Sequence, residues 1–207
     1  MSKDCCPSPN TNIDDHYRRI LWVALIINAL MFGIEIFAGL EANSSSLMAD
    51  SIDFFGDAAN YGISLFVLGM ALSWRAKASL LKGATMAAFG IWIAGVTLHH
   101  AFTGTVPDAP VMGVIGLLAL IANSTVAFML YRYRQGDSNM RSVWICSRND
   151  ALGNIAVMLA ALGVFGTQSG WPDFIVAGIM ATLALSGGIQ VIRHALTELK
   201  VSQPSSS

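Results

Sequence analysis

The sequence predicts an all-α integral membrane protein with six transmembrane helices and both termini in the cytoplasm, and three observations lead there. First, 54% of the 207 residues are hydrophobic and only 12% are charged, about half the charge of an ordinary soluble domain. Second, apolar stretches of about 20 residues, the length that spans a bilayer as a helix, recur along almost the whole chain. Third, Lys and Arg fall on alternate connections, as the positive-inside rule requires. Helices are the spanning element because backbone polar groups must be satisfied within the segment, and these runs are too long and continuous for barrel strands.

In chain order, residues 1–15 read as a polar, proline-punctuated cytoplasmic tail, 16–200 as the transmembrane domain and 201–207 as a disordered tail. The six segments run from Tyr17 to Leu40, Leu47 to Leu72, Ser79 to Phe102, Val111 to Tyr131, Ser142 to Phe165 and Phe174 to Val191. The first is too long for the apolar region of a signal peptide and has no Ala-x-Ala-type cleavage site. Lys3, Arg18, Arg19, Arg75, Lys77, Lys82, Arg132, Arg134, Arg141, Arg193 and Lys200 lie on the inner side, eleven of the twelve basic residues. The outer connections hold Glu41, Asp108 and Asp173 and no base. Arg148, the twelfth, lies inside the fifth segment and is expected to snorkel toward the inner headgroups. Trp22, Trp74, Trp144 and Trp171 sit near segment ends, as interfacial aromatics do. The three cysteines, Cys5, Cys6 and Cys146, supply no disulfide framework, and no basic patch points to nucleic acid.

Ionisable groups cost several kcal/mol in a bilayer and mark function by default. Five acids lie within the segments: Glu35 in the first, Asp50, Asp53 and Asp57 in the second, and Asp150 in the fifth. At 100° per residue, Asp50, Asp53 and Asp57 fall within about 60° of one another, and Asn60 and Ser64 continue the stripe. Ser142, Cys146, Asp150 and Asn154 form a matching stripe at intervals of four. Asp53 with Asp57, and Cys146 with Asp150, are each one turn apart on one face. The second helix runs inward and the fifth outward, so the pairs can meet at one depth. Three carboxylates and one thiolate form a tetrahedral donor set suited to Zn²⁺; the sulfur favours Zn²⁺ or Cd²⁺ over Mg²⁺, Ca²⁺ or Mn²⁺. Four ionised ligands would give the empty site a charge of about −4 in a low-dielectric interior. The empty site is therefore expected to hold protons, some of which metal binding releases.

Asn43-Ser44-Ser45-Ser46-Leu47-Met48-Ala49-Asp50-Ser51-Ile52-Asp53-Phe54-Phe55-Gly56-Asp57 resembles the second-helix signature of the cation diffusion facilitator transporters. Cys146-Ser147-Arg148-Asn149-Asp150-Ala151-Leu152-Gly153-Asn154 resembles their fifth-helix signature. The resemblance implies that Asp53, Asp57, Cys146 and Asp150 are transport-site ligands. It further implies that the chain exports Zn²⁺ and related ions from the cytoplasm by proton antiport, as a homodimer; the short, compact chain favours a bacterial inner membrane. Metal is then substrate and no cofactor is implied. Many relatives have His where this chain has Cys146, and the His- and Gly-containing segment after the second helix is missing, so no second site carries over. The sequence ends near where relatives append a cytoplasmic metal-binding domain, so regulation or dimerisation by that domain is expected to be absent or replaced.

Each residue also has a plainer reading. Buried acids can simply hold helices together, but Asp53, Asp57 and Asp150 have no facing bases. A lone membrane Cys is usually core; its place one turn before Asp150 makes Cys146 a ligand candidate. Asp50 suits either a supporting role beside the ligands or helix N-terminal electrostatics. Glu35 shares a face with Asn28 and suits a proton path or an interhelical hydrogen bond. Asn60, Asn123 and Asn154 read as interhelical glue, two of them on the ligand stripes. His99 and His100 read as interfacial; Cys5, Cys6 and His16 could catch metal, but a disordered tail accounts for them. The rivals to antiport are a passive metal channel or uniporter, for which four strong ligands bind too tightly, and an intramembrane aspartyl protease. The protease signature requires Gly-x-Gly-Asp, and Phe54 occupies the first glycine position. The chain is therefore read as a transporter, not an enzyme.

Overall fold

The computed structural model describes residues 15–66, 72–133 and 138–202, with side chains omitted at Leu72, Arg75, 133, 138–149 and 201–202. The described residues form α1 (Asp15–Ala42), α2 (Ser45–Phe66), α3 (Leu72–Thr103), α4 (Ala109–Leu130), a single 3₁₀ turn (Tyr131–Tyr133), α5 (Ser138–Thr167) and α6 (Trp171–Ser202). The helices are longer than the apolar runs suggest. α3 begins seven residues before Ser79, and α6 continues past Val191 to Ser202. Among the described residues, five helices are long and apolar enough to cross a membrane. α2, at 22 residues, is the exception because Asp50, Asp53 and Asp57 interrupt its apolar run.

Burial follows the logic of a bilayer. On α1 the inward residues are Tyr17, Leu21, Ala24, Asn28, Met31, Glu35, Gly39 and Ala42; on α4 they are Ala109, Met112, Gly116, Ala119, Asn123, Val126 and Leu130. Both seams advance in steps of three or four, the coiled-coil interval, and both mix small and polar residues with the apolar ones. Lipid is as apolar as leucine, so close approach and interhelical hydrogen bonds distinguish the interior face. Many large apolar side chains turn outward, among them Phe37, Phe102, Phe128 and Leu183.

α1 with α2, α4 with α5, and α3 with α6 pack most extensively, and α2 touches all five other helices. The α3–α6 pair depends on glycine at its tightest point. A Cβ on Gly83 would lie 2.9 Å from the Gly188 carbonyl oxygen, and one on Gly188 would lie 2.9 Å from that of Gly83. Backbone meets backbone there, so nothing can yield.

The outer end of α2 is fastened from another helix. Ser44 caps α2, its Oγ accepting the Leu47 N–H at 3.2 Å, a conventional N-cap bond. Asp173, in the first turn of α6 and fully buried, accepts the N–H groups of Ser45 at 2.8 Å and Ser46 at 3.0 Å. It also accepts the hydroxyls of Ser44 at 2.7 Å and Ser46 at 2.6 Å. A carboxylate on the first N–H groups of a helix satisfies donors that have no intrahelical partner and complements the dipole. Sequence reasoning missed this role for Asp173, because the acceptor comes from a turn 128 residues away. His100 is drawn in as well, Nδ1 lying 3.2 Å from Ser45 Oγ with its ring against Phe174, so it is not merely interfacial.

Two substitutions test this framework by thermal unfolding in detergent. Asp173→Ala strands several buried donors and is expected to cost about 3 kcal/mol. Gly188→Leu forces α3 and α6 apart and is expected to cost at least about 3 kcal/mol, beyond ordinary overpacking; retention of the wild-type midpoint by either would contradict the packing described.

Candidate functional site

α2 and α5 carry the acidic stripe and meet across the interior. Asp50, near the outer end of α2, is 1% exposed and Asp57 is 7% exposed, while Asp53 and Asp150 are half-buried. Asp57 Oδ2 accepts the Tyr61 hydroxyl at 3.1 Å, and its carboxyl interacts electrostatically with that of Asp150 where α2 packs against α5. Asp53 also acts electrostatically on Asp150. The antiparallel run of the two helices brings Asp57 to Asp150 and, nearer the outer end, Asp50 to Asn154. Among the described residues, no three His, Cys, Asp or Glu side chains stand close enough together to form a finished metal cage.

The other candidate residues fall on both sides of these acids. Asn154, fully buried, donates from Nδ2 to Asp50 Oδ2 at 2.5 Å and accepts at Oδ1 from Asn123 Nδ2 at 2.9 Å. One chain of hydrogen bonds thus links α2, α5 and α4. Glu35, fully buried on α1, lies against Asp50. Among the described residues, neither Glu35 oxygen nor Asp50 Oδ1 receives a donor. Asn28 Nδ2 donates to the Ala24 carbonyl of its own helix at 2.8 Å, so Asn28 and Glu35 share a face without bonding.

On the inner side, Asn60 Oδ1 accepts from Lys82 Nζ at 2.5 Å. The positive-inside count treats Lys82 as a headgroup-facing base, whereas its ammonium bonds to Asn60 of α2. Nothing in the local pattern separates Lys82 from Lys77, whose ammonium lies 5.0 Å from the Trp74 ring centroid. Cys146 is on α5, but its side chain and that of Arg148 lie outside the described residues, as do Cys5 and Cys6. His16 is exposed in the first turn of α1, away from the acids.

A helical bundle with carboxylates facing inward on its second and fifth helices matches the expectation from the two signatures, and comparison with known proteins decides the family. Residues 21–200 match the cation efflux transmembrane domain. The chain belongs to the cation efflux, or cation diffusion facilitator, family. It is a multi-pass membrane protein by that membership and by its apolar helices. Cation efflux is membrane transport, so the family lends the aspartyl protease reading no support. The chain is 21% identical to a cadmium, cobalt and zinc/H⁺-K⁺ antiporter of Bacillus subtilis, over 90% of this chain and 65% of that one. It is 25% identical to the manganese efflux system protein MneP of the same organism, over 88% and 68%. It is 27% identical to the zinc transporter ZitB of Pectobacterium atrosepticum, over 89% and 62%. The chain thus spans about two thirds of the length of these cation efflux relatives.

The buried network yields a prediction of opposite signs. Asn154→Leu strands Asp50 Oδ2 and Asn123 Nδ2 and is expected to destabilise by about 1–3 kcal/mol per group. Glu35→Gln removes an acid with no donor and gives Asp50 an N–H, so it is expected to raise the unfolding midpoint in detergent. A fall for Glu35→Gln would show that Glu35 is structurally required.

Proposed function

We propose that this chain exports a divalent transition metal, Zn²⁺ with Cd²⁺ alongside, from the cytoplasm in exchange for protons. Asp53, Asp57, Cys146 and Asp150 bind the ion in turn from each side of the membrane, by alternating access around a fixed site. The observation that carries the reading is the approach of Asp57 to Asp150 across the interior, with Asp53 one turn away. Acids facing one another inside a membrane protein need cations, either protons or a metal. A divalent ion drawing three carboxylates and a thiolate around it would release the protons that kept them apart. Two of the relatives carry zinc in their names and one carries H⁺, which supports both halves of the exchange. The manganese relative raises a second metal, but the Cys146 sulfur favours the softer ions. Asp50, Asn154 and Glu35 support the site from its outer side and Asn60 from its inner side. A homodimer in a bacterial cell membrane completes the proposal and rests on the family resemblance.

The test is Zn²⁺ and Cd²⁺ uptake into proteoliposomes with and without an imposed pH gradient. Uptake is expected to follow the gradient and to fall at least about 100-fold in Asp57→Asn and Asp150→Asn, each of which removes a charged ligand. Uptake that ignores the gradient but vanishes in both variants would identify a uniporter or channel. Gradient-driven Mn²⁺ uptake without Zn²⁺ or Cd²⁺ uptake would overturn the metal assignment.

A further inference from the structure

We infer that Lys82 is a built-in competitor of the transported metal: its ammonium stands in for part of the ion's charge when the site is empty and must be pushed aside when metal enters from the cytoplasm. The inference rests on the transport-site reading of Asp57. Asn60 follows Asp57 by three residues, so it lies about one turn toward the cytoplasmic end of α2 on the same face. Lys82 Nζ donates to Asn60 Oδ1, and its charge reaches Asp57. A lysine near a helix end in a membrane ordinarily snorkels toward water. Lys82 instead lies ten residues into α3, half-buried, with its ammonium bonded to Asn60 on the same face of α2 as Asp57.

The neighbouring charges give this placement its consequence. Asp50, Asp53, Asp57 and Asp150 act on one another, and among the described residues Lys82 is a base that acts on Asp57. A fixed ammonium beside a carboxylate lowers the cost of the empty site, because an opposite charge compensates one that would otherwise be buried alone. The same ammonium repels a divalent ion on those carboxylates, and in an interior of intermediate dielectric that repulsion is substantial at several ångströms. Lys82 therefore weakens metal binding and, by the same interaction, favours release. A transporter gains from this, because an ion held too tightly does not leave. Asn60 acts as the positioning residue, holding the ammonium beside the path.

The experiment measures Zn²⁺ and Cd²⁺ affinity of the full chain in lipid nanodiscs at fixed pH, by competition with a fluorescent chelator, together with initial uptake rates in proteoliposomes. Lys82→Met removes the charge and keeps most of the length; Lys82→Gln is a second neutral variant that retains a hydrogen-bond donor for Asn60. Either is expected to bind metal about tenfold or more tightly than wild type, with a lower KM and a lower maximal uptake rate. Lys82→Arg is expected to bind as wild type does. A lysine that merely holds α3 against α2 would give weaker or unchanged binding in the neutral variants, and that result overturns the inference. Asp57→Asn run in parallel separates the two readings: if it leaves metal affinity intact, the transport site is misplaced, whereas loss of affinity there with no tightening in Lys82→Met and Lys82→Gln defeats the Lys82 inference alone.

Discussion

The burial of carboxylates inside a bilayer is the constraint from which the rest of this structure follows. An ionisable group facing lipid costs several kcal/mol at the least, and α2 carries three aspartates within two turns. The helix that bears them must be enclosed, and α2 is the helix that touches all five others. Its enclosure sets the remaining arrangement. α1 and α5 supply the neighbouring acids and amides, α4 reaches the stripe through Asn123 and Asn154, and α3 supplies Lys82. The lipid-facing helices can be large and greasy outward because their inward seams are narrow and mixed in character.

Enclosing α2 leaves its ends as the places where it must be held. At the outer end Asp173 does this from α6, with four hydrogen bonds to Ser44, Ser45 and Ser46. This fastens α2 to the α3–α6 pair, whose own contact runs through the glycine backbone at Gly83 and Gly188. The acids in the middle of α2 are held less completely. Among the described residues, Glu35 and Asp50 keep three oxygens without a donor, and Asp57 and Asp150 act on each other electrostatically. A structure selected only for stability would not retain buried groups in this condition, since local violations of good packing chemistry concentrate at functional sites. The tight outer fastening and the unsatisfied middle divide the labour, with rigidity placed where helices are joined and adaptability where a cation passes.

Much of the candidate site was legible in the sequence because helical periodicity is a local property. The intervals linking Asp50, Asp53 and Asp57, and separately Asp150 and Asn154, place each set on one face whatever surrounds it. The scarcity of charge made the class plain, and the two signatures led to the family to which the match over residues 21–200 assigns the chain. Helix ends were less legible. Apolar runs measure only the greasy stretch, whereas α3 and α6 continue into polar residues that remain helical. Lys82, which composition alone places at the headgroups, bonds instead to Asn60 on the neighbouring helix.

The sequence by itself determined that this chain enters a membrane as helices and that its acids lie on interior stripes, because hydropathy, charge and spacing act over one to four turns. Only the tertiary structure decided what those stripes meet. Asp57 faces Asp150, Asp50 is tied to Asn154 and lies against Glu35, Asp173 caps a helix far away in the chain, and Lys82 turns inward to Asn60. These are contacts between residues 15 to 129 positions apart, and their partners are chosen by how five helices pack around the one that cannot face lipid.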